Sequence, residues 1–273
     1  MSDIVASISN GINILGNVLA SSVRGALSNS AAGCNNCDLD LFGASTPPNT
    51  SPPPTIVNHF NRDDRSVWLR ADWSNDQNVF ANTWRERSVS FAGGNMILSF
   101  SGDWCPTMCD QRQYRSGEYR TREDNFGEGD YRFVLKAARG SGIITAFSIY
   151  QEDPHDEVIA EFPGKNCSVL QTNYFVNNQG HHEKLITLPF DACADFHEYT
   201  ISWQADSIVW SADRRELYRV EGEGLPSHPG NIIMNLWGIN NHNQQLVDWA
   251  GLLEPENLPI EASFGEVEFS PAQ

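Results

Sequence analysis

Basic residues are scarce in this chain: 18 Lys and Arg stand against 35 Asp and Glu in 273 residues, a formal net charge of −17. With a pI near 4.6, such a chain repels phosphate backbones and anionic lipids, which disfavours a nucleic acid or an acidic membrane as partner. A neutral ligand such as a glycan fits better, although solubility alone explains the acidity equally well. A long apolar run is missing too. In the mildly apolar start, "MSDIVASISNGINILGNVLASS", Asn10, Asn13 and Asn17 interrupt the apolar run, which is too short to span a bilayer as a helix. Asp3 stands where a secretory signal carries Lys or Arg. An atypical signal, a weakly amphipathic helix and an anchoring tail therefore all stay open for residues 1 to about 30. No stretch keeps a helical period for long, no helices alternate with strands, and no internal repeat is visible. What these absences leave is an all-β sandwich or barrel.

Aromatic residues are plentiful: eight Trp, fourteen Phe and seven Tyr suffice for a substantial core. The length allows one large or two small domains, and β-sandwiches of this size are often single. "STPPNTSPPPT", residues 45 to 55, reads as a Pro-rich linker. Residues 1–55 are thus expected to form a tail and linker, and residues 56–273 a single β-domain. Twelve short runs punctuated by Gly, Pro, Asn and Asp read as strands there. They are "SVSFAG", "NMILSFS", "DYRFVLKAA", "IITAFSIY", "EVIAEF", "SVLQTNYFV", "KLITLPF", "HEYTISWQ", "SIVWSAD", "RELYRVEG", "NIIMNLW" and "FGEVEFS".

The six cysteines, Cys34, Cys37, Cys105, Cys109, Cys167 and Cys193, are even in number and set in loop-like contexts. That pattern favours disulfides and an oxidising compartment. Zinc on Cys34, Cys37, Cys105 and Cys109 is a minor alternative, because no nearby His or clear knuckle supports it. Sequons at Asn49 and Asn166 agree with secretion but arise easily by chance. The expected location is extracellular or at the cell surface.

The chemistry-bearing stretch is "HDEVIAEFPG", residues 155 to 164. As a strand it puts Glu157, Ile159 and Glu161 on one face. Two carboxylates sharing a face repel each other and are costly to bury, so the pattern suits proton transfer. Retaining glycosidases use carboxylates about 5–5.5 Å apart, whereas Cα atoms at i and i+4 on a strand are roughly 13 Å apart at ~3.3 Å per residue. The two side chains must then lean together over Ile159. Taken alone, an E-x-x-x-E pair is more often a solvated strand face.

The surrounding motifs resemble glycoside hydrolase family 16, the jelly-roll β-glucanases, from about residue 68 to 269. Within the family the chain looks most like lichenases, endo-β-1,3-1,4-glucanases, with echoes of xyloglucan endotransglucosylases. "HDEVIAEFPG" is similar to (W/H)-D-E-I-D-I-E-F-L-G. "WSNDQNVFANTW", "SGEYR", "FGEGDYRFVLKAARGSGIITAFSIY", "PGNIIMNLW" and "VDWAG" follow the family's blocks in order. The resemblance implies a concanavalin-like jelly-roll sandwich of two curved antiparallel sheets and a retaining mechanism. It casts Glu157 as nucleophile and Glu161 as general acid/base, with sugar contacts from Asn75, Glu118, Arg120, Gln171, Asn173, Asn235 and Trp237. His155 flanks the site, and His181 and His182 belong to a surface loop. For Trp237 taken by itself, core packing is the simpler reading.

Several positions depart from the family pattern. Ile159 occupies the place of its central Asp, which hydrogen-bonds the nucleophile. Phe126, Glu128 and Phe175 stand at Tyr positions of the lichenase cleft. Ala81 replaces a cysteine of the lichenase disulfide, with Cys105 or Cys109 near the partner's place. Cys167 and Cys193 lack lichenase counterparts and are able to pair across neighbouring strands, as Cys105 is with Cys109. The expected function is a retaining endo-β-glucanase or transglycosylase acting on a β-1,3-1,4- or related β-glucan, with no cofactor and no metal. The alternative is a glycan-binding or structural protein on a degenerate scaffold, which Ile159 favours and the retained glutamates oppose.

Overall fold

The computed structural model describes residues 55–74, 78–102, 112–256 and 258–272. Residues 1–54, Asn75 and the cysteines at 34, 37, 105 and 109 lie outside the described residues. The first strands are β1 (Ile56–Asn58), β2 (Trp68–Arg70), β3 (Asn82–Trp84), β4 (Val89–Ala92) and β5 (Asn95–Gly102). Next come β6 (Tyr114–Ser116), β7 (Glu118–Thr121), β8 (Gly129–Lys136), β9 (Ile143–Gln151), β10 (Asp156–Pro163) and β11 (Val169–Phe175). The chain continues with β12 (Lys184–Thr187), β13 (His197–Gln204), β14 (Ser207–Ala212), β15 (Arg215–Glu221), β16 (Asn231–Gly238) and β17 (Ile260–Pro271).

These strands form a jelly-roll sandwich. One sheet has the order β15-β14-β13-β8-β17-β5-β6-β3, with β1 on β17 and β4 on β5; the other runs β12-β11-β10-β9-β16-β7-β2. Pairing is antiparallel except between β3 and β6, which run parallel. This parallel pair sits at a sheet margin where both strands have only three residues, and the two sheets are otherwise antiparallel as expected. All twelve expected runs contain strands. The short β1, β2, β3, β6 and β7 were not anticipated, nor was the helix α1 (Gln244–Ala250), capped by Asn243, whose side chain accepts from the Gln245 and Leu246 amides.

Period-2 alternation explains how the sheets meet. In "HEYTISWQ" the residues Tyr199, Ile201 and Trp203 are buried while their neighbours are half-exposed. Facing them, β10 turns Val158, Ala160 and Phe162 inward. Phe162 meets Tyr199 edge-on at 4.8 Å and Phe147 stacks on Phe133 at 4.1 Å, so the two inner faces interlock. Trp210 also donates its indole N–H to the Ile159 carbonyl at 3.2 Å, so the other sheet holds the backbone of β10 directly.

Cys167 and Cys193 form a disulfide with Cα atoms 5.6 Å apart. The bridge does not cross neighbouring strands, as the sequence suggested. It joins the turn after β10 to the connection between β12 and β13, where the Ala192 amide also donates to the Cys167 carbonyl at 2.8 Å.

Candidate active site

The strand β10 is buried at all eight positions, on its outer face as well as its inner one. The inner face is covered by the other sheet. The outer face is walled by side chains of its own sheet, and register decides which ones. Glu157 lies between Phe175 of β11 and Tyr150 of β9, with Asn231 of β16 beyond. Ile159 lies between Asn173 and Ser148, followed by Ile233 and Arg120. Glu161 lies between Gln171 and Ala146, followed by Asn235 and Glu118. Directly opposed residues point to the same side of a sheet. The expected residues Glu118, Arg120, Gln171, Asn173 and Asn235 therefore share one face with both glutamates. Ser148 and Ala146, between β10 and β16 on this face, are small and buried.

Both glutamates are only 2 % exposed. Gln171 donates Nε2–H to Glu161 Oε2 at 3.1 Å. Burial pushes the Glu161 carboxyl up to about 8, reinforced by the charge of Glu157 and of Glu183, while the Gln171 bond works the other way. At neutral pH Glu161 is thus mostly protonated and able to donate. Glu157 has a different neighbour: His155 Nε2 lies 3.2 Å from its Oε2. Arg120 grips Glu118 through Nε and Nη2 at 2.8 and 2.6 Å, and its guanidinium lies 5.0 Å from the centre of the Trp73 ring.

The entrance to β10 is held by Asp156. Its buried carboxylate accepts from the Asn177 amide at 2.7 Å, the Ser227 amide at 2.9 Å and His228 Nδ1 at 2.8 Å. Burial acts to raise its pKa, but these donors outweigh it and hold the group below the usual carboxylate range. The 225–230 loop can come this close because Gly230 has no side chain: a Cβ there would sit 2.2 Å from the Tyr150 carbonyl oxygen.

Among the described residues, the buried polar atoms Tyr150 Oη, Gln171 Oε1 and Asn235 Oδ1 on this outer face have no protein partner. Sugar hydroxyls both donate and accept, and can satisfy all three. Tyr150 was not anticipated from sequence, although pairing "IITAFSIY" with "EVIAEF" across their short hairpin would have placed it beside Glu157. Burial and the charges of Glu157 and Glu152 push its hydroxyl well above the usual phenol value.

Other expected residues sit differently. Trp237 lies on the same face but is 3 % exposed, with Phe80 edge-on at 5.0 Å and Trp249 at 6.1 Å, so much of its ring is engaged in packing. His155 is fully buried behind Glu157. His181 is exposed, and His182 stacks on Tyr174 at 3.8 Å. Among the described residues, one group of metal-ligand types gathers, Cys167, Asp191 and Cys193. Its sulfurs are consumed by the disulfide. No helix among the described residues is long and apolar enough to cross a membrane.

Comparisons with known proteins bear on the same region. A β-glucanase of Acetivibrio thermocellus is 36 % identical over 227 residues, 80 % of this chain. The chain spans only 64 % of that relative's length. A β-glucanase of Paenibacillus polymyxa is 35 % identical over 220 residues, 78 % of this chain and 85 % of the relative. Among solved structures, a β-1,3-1,4-glucanase (lichenase) from a mouse hindgut metagenome superposes with a TM-score of 0.74 at 33 % identity, covering 80 % of this chain and 99 % of that one. The model of the family Glycosyl hydrolases family 16 matches residues 75–251, from just before β3 to the end of α1, and so takes in β10 and the strands on both sides of it. The chain belongs to glycosyl hydrolase family 16.

Proposed function

We propose that the protein is a retaining endo-β-glucanase in which Glu157 is the nucleophile and Glu161 the general acid/base. One observation carries this reading: the two carboxylates share a walled, nearly dry strand face, and Glu161 stays protonated there at neutral pH. The Glu157 carboxylate attacks the anomeric carbon as Glu161 gives its proton to the departing glycosidic oxygen, leaving a glycosyl ester on Glu157. Glu161, now ionised, takes a proton from water, whose oxygen displaces Glu157 and restores both groups. A sugar hydroxyl in place of water gives transglycosylation. Glu118, Arg120, Gln171, Asn173 and Asn235 hold the glucan through hydroxyl hydrogen bonds. By resemblance, Asn75 and Trp237 also contact the sugar.

The relatives named above support a β-glucan as the substrate, and the lichenase likeness supports mixed β-1,3-1,4 linkages. The Cys167–Cys193 disulfide fits an oxidising compartment, so the protein is proposed to work outside the cytosol. The test is reducing-sugar release from barley β-glucan, lichenan, laminarin and xyloglucan, with calorimetric titration of the same glycans. Binding without release from any of them would turn the reading into that of a glycan-binding protein.

A further inference from the structure

A carboxylate that must attack a carbon needs one oxygen aimed and the other held. Glu157 is nearly dry, and its surroundings offer few donors. Across β11 stands Phe175, which has none. Next on the same strand face stands Ile159, 8 % exposed, which also has none. Across β9 stands Tyr150, whose hydroxyl has no partner among the described residues and so is not bonded to Glu157. On the other side along the chain is His155, with Nε2 3.2 Å from Glu157 Oε2. The imidazole is itself immobilised. It is fully buried, stacked on Phe175 at 4.6 Å with planes 20° apart, and tilted against Tyr150 at 5.2 Å. A ring packed on two aromatics and fixed in direction is a poor sugar ligand but a good brace.

We propose that His155 is the positioning residue of the nucleophile in this chain, donating Nε2–H to Glu157 Oε2 and leaving the other carboxylate oxygen to face the anomeric carbon. The brace stands two residues before the glutamate, while the apolar Ile159 stands two residues after it. This assignment rests on the reading of Glu157 as nucleophile. It excludes His155 from direct sugar contact and predicts a role expressed in turnover rather than in affinity, because a free-swinging carboxylate loses aim without changing how the glucan is held.

Two substitutions separate the brace from the packing. His155→Phe keeps an aromatic ring beside Phe175 and Tyr150 but removes the donor; His155→Gln keeps an N–H donor at a similar reach on a flexible, non-aromatic side chain. On whichever β-glucan the wild type cleaves, His155→Phe is expected to lower kcat by roughly 10- to 100-fold while KM moves less than about threefold. His155→Gln is expected to recover at least about a third of that loss on a logarithmic scale. Thermal unfolding of each variant separates lost aim from lost fold. In an Ile159→Asp background, where a carboxyl on the other side can share a proton with Glu157, His155→Phe should cost less than it does alone. Wild-type kcat in His155→Phe would overturn the proposal, as would equal losses in the Phe and Gln variants. A natively folded wild type inactive on every β-glucan would instead remove the nucleophile reading beneath it.

Discussion

The amide of Gln171 hydrogen-bonds the Glu161 carboxyl from the directly opposed position on β11, Nε2 to Oε2 at 3.1 Å. It favours the ionised form of a group that burial and the Glu157 charge hold protonated. The general acid is therefore set by opposing influences, and the sign of each change can be worked out.

Turnover should fall on the alkaline side as Glu161 loses its proton, with the limb of kcat/KM near pH 8. Gln171→Leu removes the bond that favours ionisation, so the limb should shift to higher pH while KM rises from the lost sugar contact. A pH–rate series on a soluble mixed-linkage glucan checks both. An alkaline limb that moves down in Gln171→Leu would show that the bond favours the protonated form.

Stability should carry the same signature. Glu161 is protonated in the folded chain up to about pH 8 and ionised in the unfolded chain above about pH 4.3. Between those values the folded state holds the extra proton, so wild-type stability is full below the unfolded pKa and declines as pH rises, by at most about 1.4 kcal/mol per pH unit. Glu161→Gln removes that titration. Urea unfolding at pH 5, 6.5 and 8 should show the variant gaining steadily on the wild type, and a constant difference would contradict the shift.

Cys167 and Cys193 close a loop with a sequence separation of 26 that contains all of β11 and β12. Replacing both with Ser should cost about 3.5 kcal/mol if loop-closure entropy dominates. Urea midpoints of the double variant and wild type measure it. Because the bridge starts just beyond β10, activity should fall at temperatures where the wild type is still intact.

Ile159→Asp tests the most unusual position on the site strand. The aspartate would stand between Glu157 and Glu161 on the outer face, able to share a proton with Glu157, and its charge would favour retention of the Glu161 proton. Turnover on the cleaved glucan is expected to rise, measured as kcat on a single batch of substrate. An inert substitution would show that His155 alone already supplies the aim the nucleophile needs.

The long strands and the carboxylate pair were legible because eight- or nine-residue runs such as "IITAFSIY" and "DEVIAEFP" show their character in β-branched and aromatic content and in bounding turns. The three-residue strands "IVN", "WLR" and "NTW" are too short to display a period, and they exist because neighbouring strands offer unpaired edges. The helix "QQLVDWA" is only two turns long, too short for its pattern to display a helical period. Within the site, Glu118, Arg120, Gln171 and Asn173 were reached through ordered motifs. Tyr150 and Asp156 were not, because their importance lies in hairpin register and in loops 225–230 and 176–179, which meet β10 only in three dimensions.

Whether Glu157 does the covalent chemistry is decided by a single comparison. Wild type and Glu157→Gln are assayed for reducing-sugar release from barley β-glucan, with oligosaccharide binding and thermal unfolding measured on the same samples. The wild type is expected to release sugar, and the variant to lose at least roughly a thousand-fold in rate with binding and cooperative unfolding retained. Equal release by the two proteins would contradict that role for Glu157.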